Sequence, residues 1–407
     1  MTKKIYKVGG CIRDNLLNIQ SNDIDYVAVG YTPLDFIHLE CIGKDFPVFI
    51  DKNGCEIALA RIEKKSGLGY NGFEAYTNNV TLEDDLKRRD LTINSIAYDE
   101  ENKTYIDPYG GLNDIQNKIL RHTSEAFKED PLRVLRLARF QAKFSDFTIA
   151  DETKKFVYDM KDELKYLQSD RVYKEIKKVL KLQRSDLFFE TLNDLNVLDI
   201  LFPNIFNLTS CKESSIYHKE ENVFIHTMMV LQELNSQSEL LKFTALYHDI
   251  AKPIMYDKTK GTNAGGHDNP KLVEQLIDIK LPVKLQKKML FLIKNHIKIF
   301  NLNKMRHKTI ATFFESYRKD KELFQDQIIF AKADSDGRIG EGKEISLFIN
   351  KNILFNIFDK ISDYSPKQWI EEQKIRNSVQ KVSGEAIKQH IHRHNISIVT
   401  SLWYNNR

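Results

Sequence analysis

Asp23 and Asp25 stand one residue apart in Asp23-Ile24-Asp25, at the start of a stretch that reads as a strand over Asp25–Val29. Residues i and i+2 of a strand point to the same face, so this spacing brings two carboxylates together. Side by side they repel, and their charge is costly unless a cation sits between them. An oxygen-only site suits Mg²⁺, which keeps several waters and binds substrate phosphates as well. The chemistry implied is phosphoryl or nucleotidyl transfer with two metals about 4 Å apart. The alternative is a solvated strand edge, and the residues upstream weigh against it. Lys4–Val8 reads as a strand, Gly9-Gly10 ends it, and Arg13 lies in the first turn of a short helix over Cys11–Leu17. Paired glycines let backbone amides approach phosphates, and a helix N-terminus adds a favourable dipole there.

Two further groups carry chemistry. Leu82–Asn94 is dense in alternating charge, which alone describes a solvated helix. Within it Arg89 could bind a triphosphate, Asp90 orient the arginine and Asn94 contact a ribose. Farther along stand His226, His248-Asp249, His267, His296 and Asp334. A lone histidine is more often a packed or surface residue than a ligand. His248-Asp249 is different, because it closes the apolar stretch Ala245-Leu246-Tyr247, and a buried His-Asp pair needs a partner. Imidazoles mixed with carboxylates suit Ni²⁺, Mn²⁺, Zn²⁺ or iron rather than Mg²⁺ alone.

The elements that must hold these residues change character along the chain. The first hundred or so residues read as strands and short helices separated by glycines. After the turn-rich Asp107-Pro-Tyr-Gly-Gly111 the periodicity becomes helical, from about Pro131 onward. Asp170–Leu182 places Val172, Ile176, Val179 and Leu180 on one face and Lys174, Lys177, Lys178 and Lys181 on the other. The fold class expected is α+β, a small α/β head followed by an elongated all-helical body. Its segments run 1–118 (head), 119–210 (neck), 211–345 (the histidine cluster) and 346–407 (helical tail).

With 407 residues, 42% apolar and 29% charged, the chain has the composition of a soluble protein of two or three domains. No run approaches the roughly 18 apolar residues of a membrane helix, and MTKKIYKVGG lacks the apolar core of a signal peptide. Cys11, Cys41, Cys55 and Cys211 show no metal or disulfide spacing. A reduced, cytoplasmic protein without a membrane partner is expected. The net charge of +4 decides nothing, but Leu281–Phe314 holds eight Lys/Arg and no acid. That run fits either a phosphate backbone or a solvated helix surface.

Taken together these residues resemble the class II CCA-adding tRNA nucleotidyltransferases, relatives of the DNA polymerase beta superfamily. The matching pieces are Gly9-Gly10-x-x-Arg13-Asp14, Asp23-x-Asp25, Arg88-Arg89-Asp90-x-x-x-Asn94, Asp107-Pro-Tyr-Gly-Gly111 and Glu129-Asp130-x-x-Arg133-x-x-Arg136-x-x-Arg139. They occur in the family's order and cover the first 140 residues, and a looser match continues through Asp170-Arg171-Val172 and the later histidines. The resemblance implies a polymerase-beta-like head and an enzyme that rebuilds the 3′-terminal CCA of tRNA from CTP and ATP. It implies that Asp23 and Asp25 hold Mg²⁺, and that Gly10, Arg13 and Arg89 bind the phosphates and sugar. Asp130 and Arg133 would then face the Watson–Crick edge of the incoming base, with Arg136 and Arg139 completing the pocket. On a helix from Glu129 to Phe140, residues three apart drift by roughly 60°, so these four would form a slanted stripe. An Asp offers acceptors and an Arg donors, a combination suited to the mixed edges of cytosine and adenine.

The later histidines resemble an HD-type metal-dependent phosphohydrolase domain. Some bacterial members of the family carry one, with 2′-phosphatase, 2′-nucleotidase and 2′,3′-cyclic phosphodiesterase activities. The resemblance implies His226, His248 and Asp249 as ligands for Ni²⁺ or another transition metal. Gly265-Gly266-His267-Asp268-Asn269-Pro270 is shorter than the corresponding histidine- and glycine-rich segment of relatives, so the remaining ligands stay open. Alternatives to full CCA addition are a bacterial poly(A) polymerase, a partial CC- or A-adding enzyme and a non-catalytic RNA-binding scaffold.

Overall fold

The computed structural model describes residues 2–21, 24–43, 47–65, 73–212, 220–259, 264–339, 351–377 and 381–404. The chain divides into two compact units, a coarser division than the four segments read from the sequence. One comprises Met1–Phe206 with Asp278–Lys280, the other Asn207–Ile277 with Leu281–Arg407. Among the described residues no helix is long and apolar enough to cross a membrane.

The first unit opens with strand β1 (Lys4–Val8), helix α1 (Gly10–Leu16) and strand β2 (Asp25–Val29). Strands β3 (Glu40–Ile42), β4 (Val48–Ile50) and β5 (Glu56–Leu59) follow, then the ribbon β6 (Ile62–Lys65) and β7 (Phe73–Tyr76). After helix α2 (Leu82–Lys87) come strands β8 (Ala97–Asp99) and β9 (Thr104–Ile106) and helix α3 (Gly111–Gln116). The main sheet has the order β3-β4-β5-β2-β1-β8-β9. Its one parallel pair is β2 with β5. The central β2 is buried on both faces, which is why Val27-Ala28-Val29 is unbroken apolar sequence. Val27 and Val29 pack with Val8, Leu86 and Ala97, while Ala28 packs with Phe36, Phe49 and Leu59 on the other side.

Helices α4 (Leu132–Lys143), α5 (Asp151–Asp159) and α6 (Ser169–Val179) follow the sheet. The helix expected from Glu129 begins instead at Leu132. The cause is Pro131, whose ring disfavours helical backbone in the residue before it. Asp130 is accordingly extended, with φ −123° and ψ 105°. The α4 face formed by Val134, Leu135, Leu137 and Ala138 is buried, and α6 packs against the same helix. On α6, Val172, Ile176 and Val179 are buried with Leu180 just beyond, while Lys174, Lys177, Lys178 and Lys181 are exposed.

In the second unit the helices Val223–Glu233, Glu239–Tyr247, Val283–Phe300 and Lys321–Asp336 pack together around the histidine cluster, with His248-Asp249 just past the second helix and His267 in the turn before Pro270. Lys351–Asp363, Lys367–Asn377 and Gly384–Tyr404 form the tail. Within the basic run, Lys284, Lys287, Lys294, Lys304, Arg306 and Lys308 are exposed, and Met289, Leu292, Ile293 and Ile299 face inward.

Candidate functional sites

The two ends of the head's motifs meet across one cavity of about 710 Å³ in the first unit. Gly9 leaves β1 with φ +76° and ψ −132°, a conformation that L side chains rarely adopt. A Cβ at this position would stand 2.8 Å from Arg89 Nη1. Glycine therefore both makes the turn and lets Arg89 reach the loop. Gly10, Arg13, Arg89, Asp130, Arg133, Arg136 and Arg139 all line the cavity, as does Asp25. Asp23 lies outside the described residues.

The arginines are held by a set of buried carboxylates and amides. Asp85, wholly buried, takes Arg88 Nη2 at 2.6 Å and Arg89 Nη2 at 3.1 Å. Burial opposes its charge, but the two guanidinium groups outweigh burial and lower its pKa. Asp90 is likewise resisted by burial and held below the ordinary carboxylate range by Arg136, whose Nε and Nη2 lie 2.8 and 2.7 Å away. Asn94 sits on the short turn Thr92–Asn94, donating to Asp90 Oδ1 at 2.9 Å and accepting from Arg13 Nη1. The Asp107-Pro-Tyr-Gly-Gly111 turn supports that element. Asp107 accepts from the Gly111 and Leu112 amides at 2.7 and 2.9 Å. No side chain would fit between Gly111 and the Thr92 carbonyl. Arg13 also pairs with Asp14 at 2.7 Å and lies 5.1 and 5.2 Å from the Phe140 and Phe144 rings.

Asp130 and Arg133 stand at the same cavity but not on one helix stripe. The Asp130 oxygens accept from Arg171 at 2.8 and 3.2 Å, and Arg133 Nη1 donates to the Ala126 carbonyl at 2.5 Å. Arg139 is clamped by Glu175, a buried acid on the otherwise apolar face of α6. Asp85, Arg171, Lys143 and Glu175 were not among the expected site residues. Asp-Arg-Val at 170–172 was the one signal for Arg171, and an acid inside an apolar helical face was the signal for Glu175. Ten cationic side chains line the cavity against three carboxylates, Asp25, Asp90 and Asp130. Such an excess focuses a field that favours a polyanion such as a triphosphate. Asp25 offers the oxygen donor that suits Mg²⁺ at its edge.

The second site is a cluster buried in the second unit. His226, His248, Asp249, His267, His296 and Asp334 are at most 7% exposed. His248 Nε2 lies 3.3 Å from His226 Nε2 and 3.1 Å from Asp249 Oδ2, so the three expected ligands do meet. His267, His296 and Asp334 join them. Each ring nitrogen Nδ1 rests against a backbone carbonyl: His226 on Gly337 at 3.1 Å, His248 on Ala245 at 2.8 Å, His267 on Ala264 at 2.7 Å and His296 on Ile293 at 2.5 Å. A carbonyl only accepts, so Nδ1 carries a proton in each ring; Nε2 offers a lone pair where the ring is neutral, and on His226 it lies 3.3 Å from Asp334 Oδ1, ready to hold a second proton. The site draws positive charge. Burial opposes a proton on His226, yet hydrogen bonds to Asp334 and Glu220 lift its pKa to about 9. His296 goes the other way, pushed down to about 3 by burial and by His267 and His248. Lys252 Nζ lies 2.8 Å from Asp249 Oδ2, and Arg338 Nη2 lies 3.0 Å from Asp334 Oδ1. The cluster opens on a cavity of about 350 Å³ bordered by Gly265 and Gly266.

Residues 5–121 match the family model described as the poly A polymerase head domain. Residues 146–208 match a second, the probable RNA and SrmB-binding site of polymerase A. The multifunctional CCA protein of Vibrio campbellii is 37% identical over 404 residues, covering 95% of this chain and 98% of that protein. Among solved structures, the Thermotoga maritima CCA-adding enzyme complexed with tRNA superposes with a TM-score of 0.60 at 19% identity, over 100% of this chain and 92% of that one. The Bacillus stearothermophilus CCA-adding enzyme in complex with CTP gives 0.58 at 19%, over 98% and 89%. At such identities the likeness concerns the fold.

Proposed function

The chain belongs to the CCA-adding tRNA nucleotidyltransferases, and from that premise we propose that it rebuilds the 3′-terminal CCA of tRNA from CTP and ATP at the cavity of its first unit. The observation that carries this is the meeting, on one strongly cationic cavity, of eight expected residues from Gly10 to Arg139. In the reaction the tRNA 3′-hydroxyl oxygen bonds to the α-phosphorus, the bond to the bridging oxygen breaks, pyrophosphate leaves and the hydroxyl proton is lost. Mg²⁺, when bound by Asp25 and Asp23, supplies charge neutralisation for attack and departure. The Gly9-Gly10 turn, Arg13 and Arg89 hold the triphosphate. Asp130 accepts from the base edge and Arg133 donates to it. Asp90 and Glu175 fix Arg136 and Arg139 as the wall behind the nucleotide. A poly(A) polymerase would extend any RNA with ATP alone, so tRNA lacking its 3′ end, incubated with each nucleotide separately, distinguishes the two.

Two variants test the pocket. Asp130→Ala and Arg133→Ala are expected to blur discrimination among CTP, ATP, UTP and GTP more than they slow any one. A site built to hydrogen-bond one edge rejects another by leaving polar groups unpaired. Measuring kcat/KM for all four nucleotides checks this, and full selectivity in both variants would remove the pair from base recognition. Gly9→Ala forces φ +76° on a residue with a Cβ and displaces Arg89. Strain of about 1–3 kcal/mol follows, and kcat/KM for nucleotide is expected to fall roughly tenfold or more. Wild-type kinetics in this variant would show that Arg89 does not depend on the turn.

A second activity is favoured by the convergence of imidazoles and carboxylates in the other unit. We propose that this cluster hydrolyses 2′-phosphorylated and 2′,3′-cyclic phosphate ends of RNA. Water oxygen bonds to phosphorus, a bond from phosphorus to a ribose oxygen breaks, and that oxygen takes the proton. Ni²⁺ or another transition metal fits the nitrogen-rich donor set and supplies Lewis acidity when bound. Lys252 and Arg338 bring positive charge to the phosphate.

A further inference from the structure

Asp14 is a buried carboxylate shared by two cations that face the first unit's cavity. It is 7% exposed and stands behind the cavity wall. Arg13 meets its Oδ1 through Nε at 2.8 Å and through Nη2 at 2.7 Å. Lys143, at the end of α4, meets Oδ1 at 3.2 Å and Oδ2 at 3.0 Å. Both cations line the cavity. Arg13 Nη2 lies beside the Gly9-Gly10 turn, 3.5 Å from where a Cβ on Gly10 would stand. We propose that Lys143 binds the β- and γ-phosphates of the incoming CTP or ATP, the part that leaves as pyrophosphate, and that Asp14 is the positioning residue that holds Lys143 and Arg13 side by side. The inference rests on the transferase reading above and adds a binding residue and its support.

The place of Lys143 along α4 selects the phosphate end of the nucleotide. Asp130 and Arg133 stand at the start of that helix, and the ten residues from Arg133 to Lys143 rise by about 15 Å. That is room for a nucleoside triphosphate laid along the helix, its base at Arg133 and its tail at Lys143. A plain ion pair explains Arg13 with Asp14 but not Lys143. One guanidinium already balances the carboxylate, and a second cation beside it is repelled. Burial and then the Arg13 charge, with a smaller push from Arg139, outweigh Asp14 and lower the Lys143 pKa. An ammonium held against that resistance gains when a polyanion enters the cavity and reverses the local field. It also has the capacity, because an ammonium carries three donors and the two Asp14 oxygens engage at most two of them. The Phe144 ring, 5.1 Å from Nζ, backs the ammonium on another side.

The test measures equilibrium binding to the full chain, with CTP, CMP and inorganic pyrophosphate as probes. In Lys143→Met, CTP and pyrophosphate are expected to bind roughly ten- to hundredfold more weakly, the effect of one charge-assisted hydrogen bond. CMP, which lacks the tail, is expected to bind as it does to the parent. KM for CTP and ATP should rise together with selectivity among the four nucleotides unchanged, and Lys143→Arg should restore both nucleotides. Asp14→Asn is expected to weaken the same two ligands, and combining it with Lys143→Met should cost less than the two single effects together. Lys143→Gln carries the same expectation if the methionine variant fails to melt cooperatively. Parent-like pyrophosphate binding in Lys143→Met, or an equal loss for CMP and CTP, overturns the assignment. Full additivity in the double variant removes Asp14 as the positioning residue. A parent chain that binds CTP but adds nothing to tRNA would end the transferase reading and leave the phosphate site in place.

Discussion

Asp25→Ala, and Asp23→Ala with it, is expected to abolish addition of CTP and ATP to tRNA, while the thermal melt and tRNA affinity stay near those of the parent. Asp25 opens β2, pairing through its backbone with Val8 and Glu56. The substitution therefore removes a carboxylate and leaves the strand's ladder intact. Loss of metal positioning costs several kcal/mol in the transition state, on the order of a thousandfold or more in rate. The competing account is that Asp25 merely balances the cationic cavity. In that case Asp25→Asn would lower the melting temperature and keep the rate and its Mg²⁺ dependence. Single-turnover addition measured across a Mg²⁺ titration, beside melts of the same preparations, separates the two. Near-normal addition by either alanine variant would place the catalytic carboxylates elsewhere.

The other large effect is expected from His248→Ala or Asp249→Ala, which should remove hydrolysis of 2′-phosphorylated and cyclic phosphate ends and leave CCA addition largely unchanged. Ligands to a metal act as a unit, so the loss of one cripples the site. His248 also sits wholly buried at the end of the helix Glu239–Tyr247. Truncation there leaves a cavity, and a lower melting temperature is expected alongside the lost activity. His248→Gln keeps most of the volume and should lose hydrolysis with a smaller drop in stability. Hydrolysis should respond to Ni²⁺ or a similar ion, whereas addition should respond to Mg²⁺. Should both activities fall together in a protein that still melts cooperatively, the cluster would be serving the fold or the RNA surface. Should the parent protein hydrolyse none of these ends with any divalent ion, the cluster would be structural.

The sequence by itself determined the local pieces. The short apolar run of β2 and the 3.6-residue period of α6 were legible, because burial on both faces leaves an unbroken apolar strand and burial on one face leaves a helical stripe. Gly9-Gly10, Arg89 and the aspartates were legible because their chemistry needs those residue types at short spacing. Asp130 shows where short-range reading stops. A regular helix through Glu129 fitted the spacing, but Pro131 bars helical backbone at the residue before it and sets Asp130 on a turn facing Arg171. Of the carboxylates that hold the arginines, Asp85 looks like an ordinary helix acid in sequence, and Glu175 is marked only by its place on an apolar helical face. Only packing shows that they are buried and that each meets a guanidinium.

The histidine cluster divides the same way. His248-Asp249 stood out because adjacent polar residues closing an apolar stretch demand a partner. His226, His267, His296 and Asp334 are separated by tens of residues and become neighbours only where three helices and the turn before Pro270 come together. No local pattern records that the histidine Nδ1 atoms rest on carbonyls. Those facts depend on long-range packing, which fixes distances that spacing along the chain leaves free.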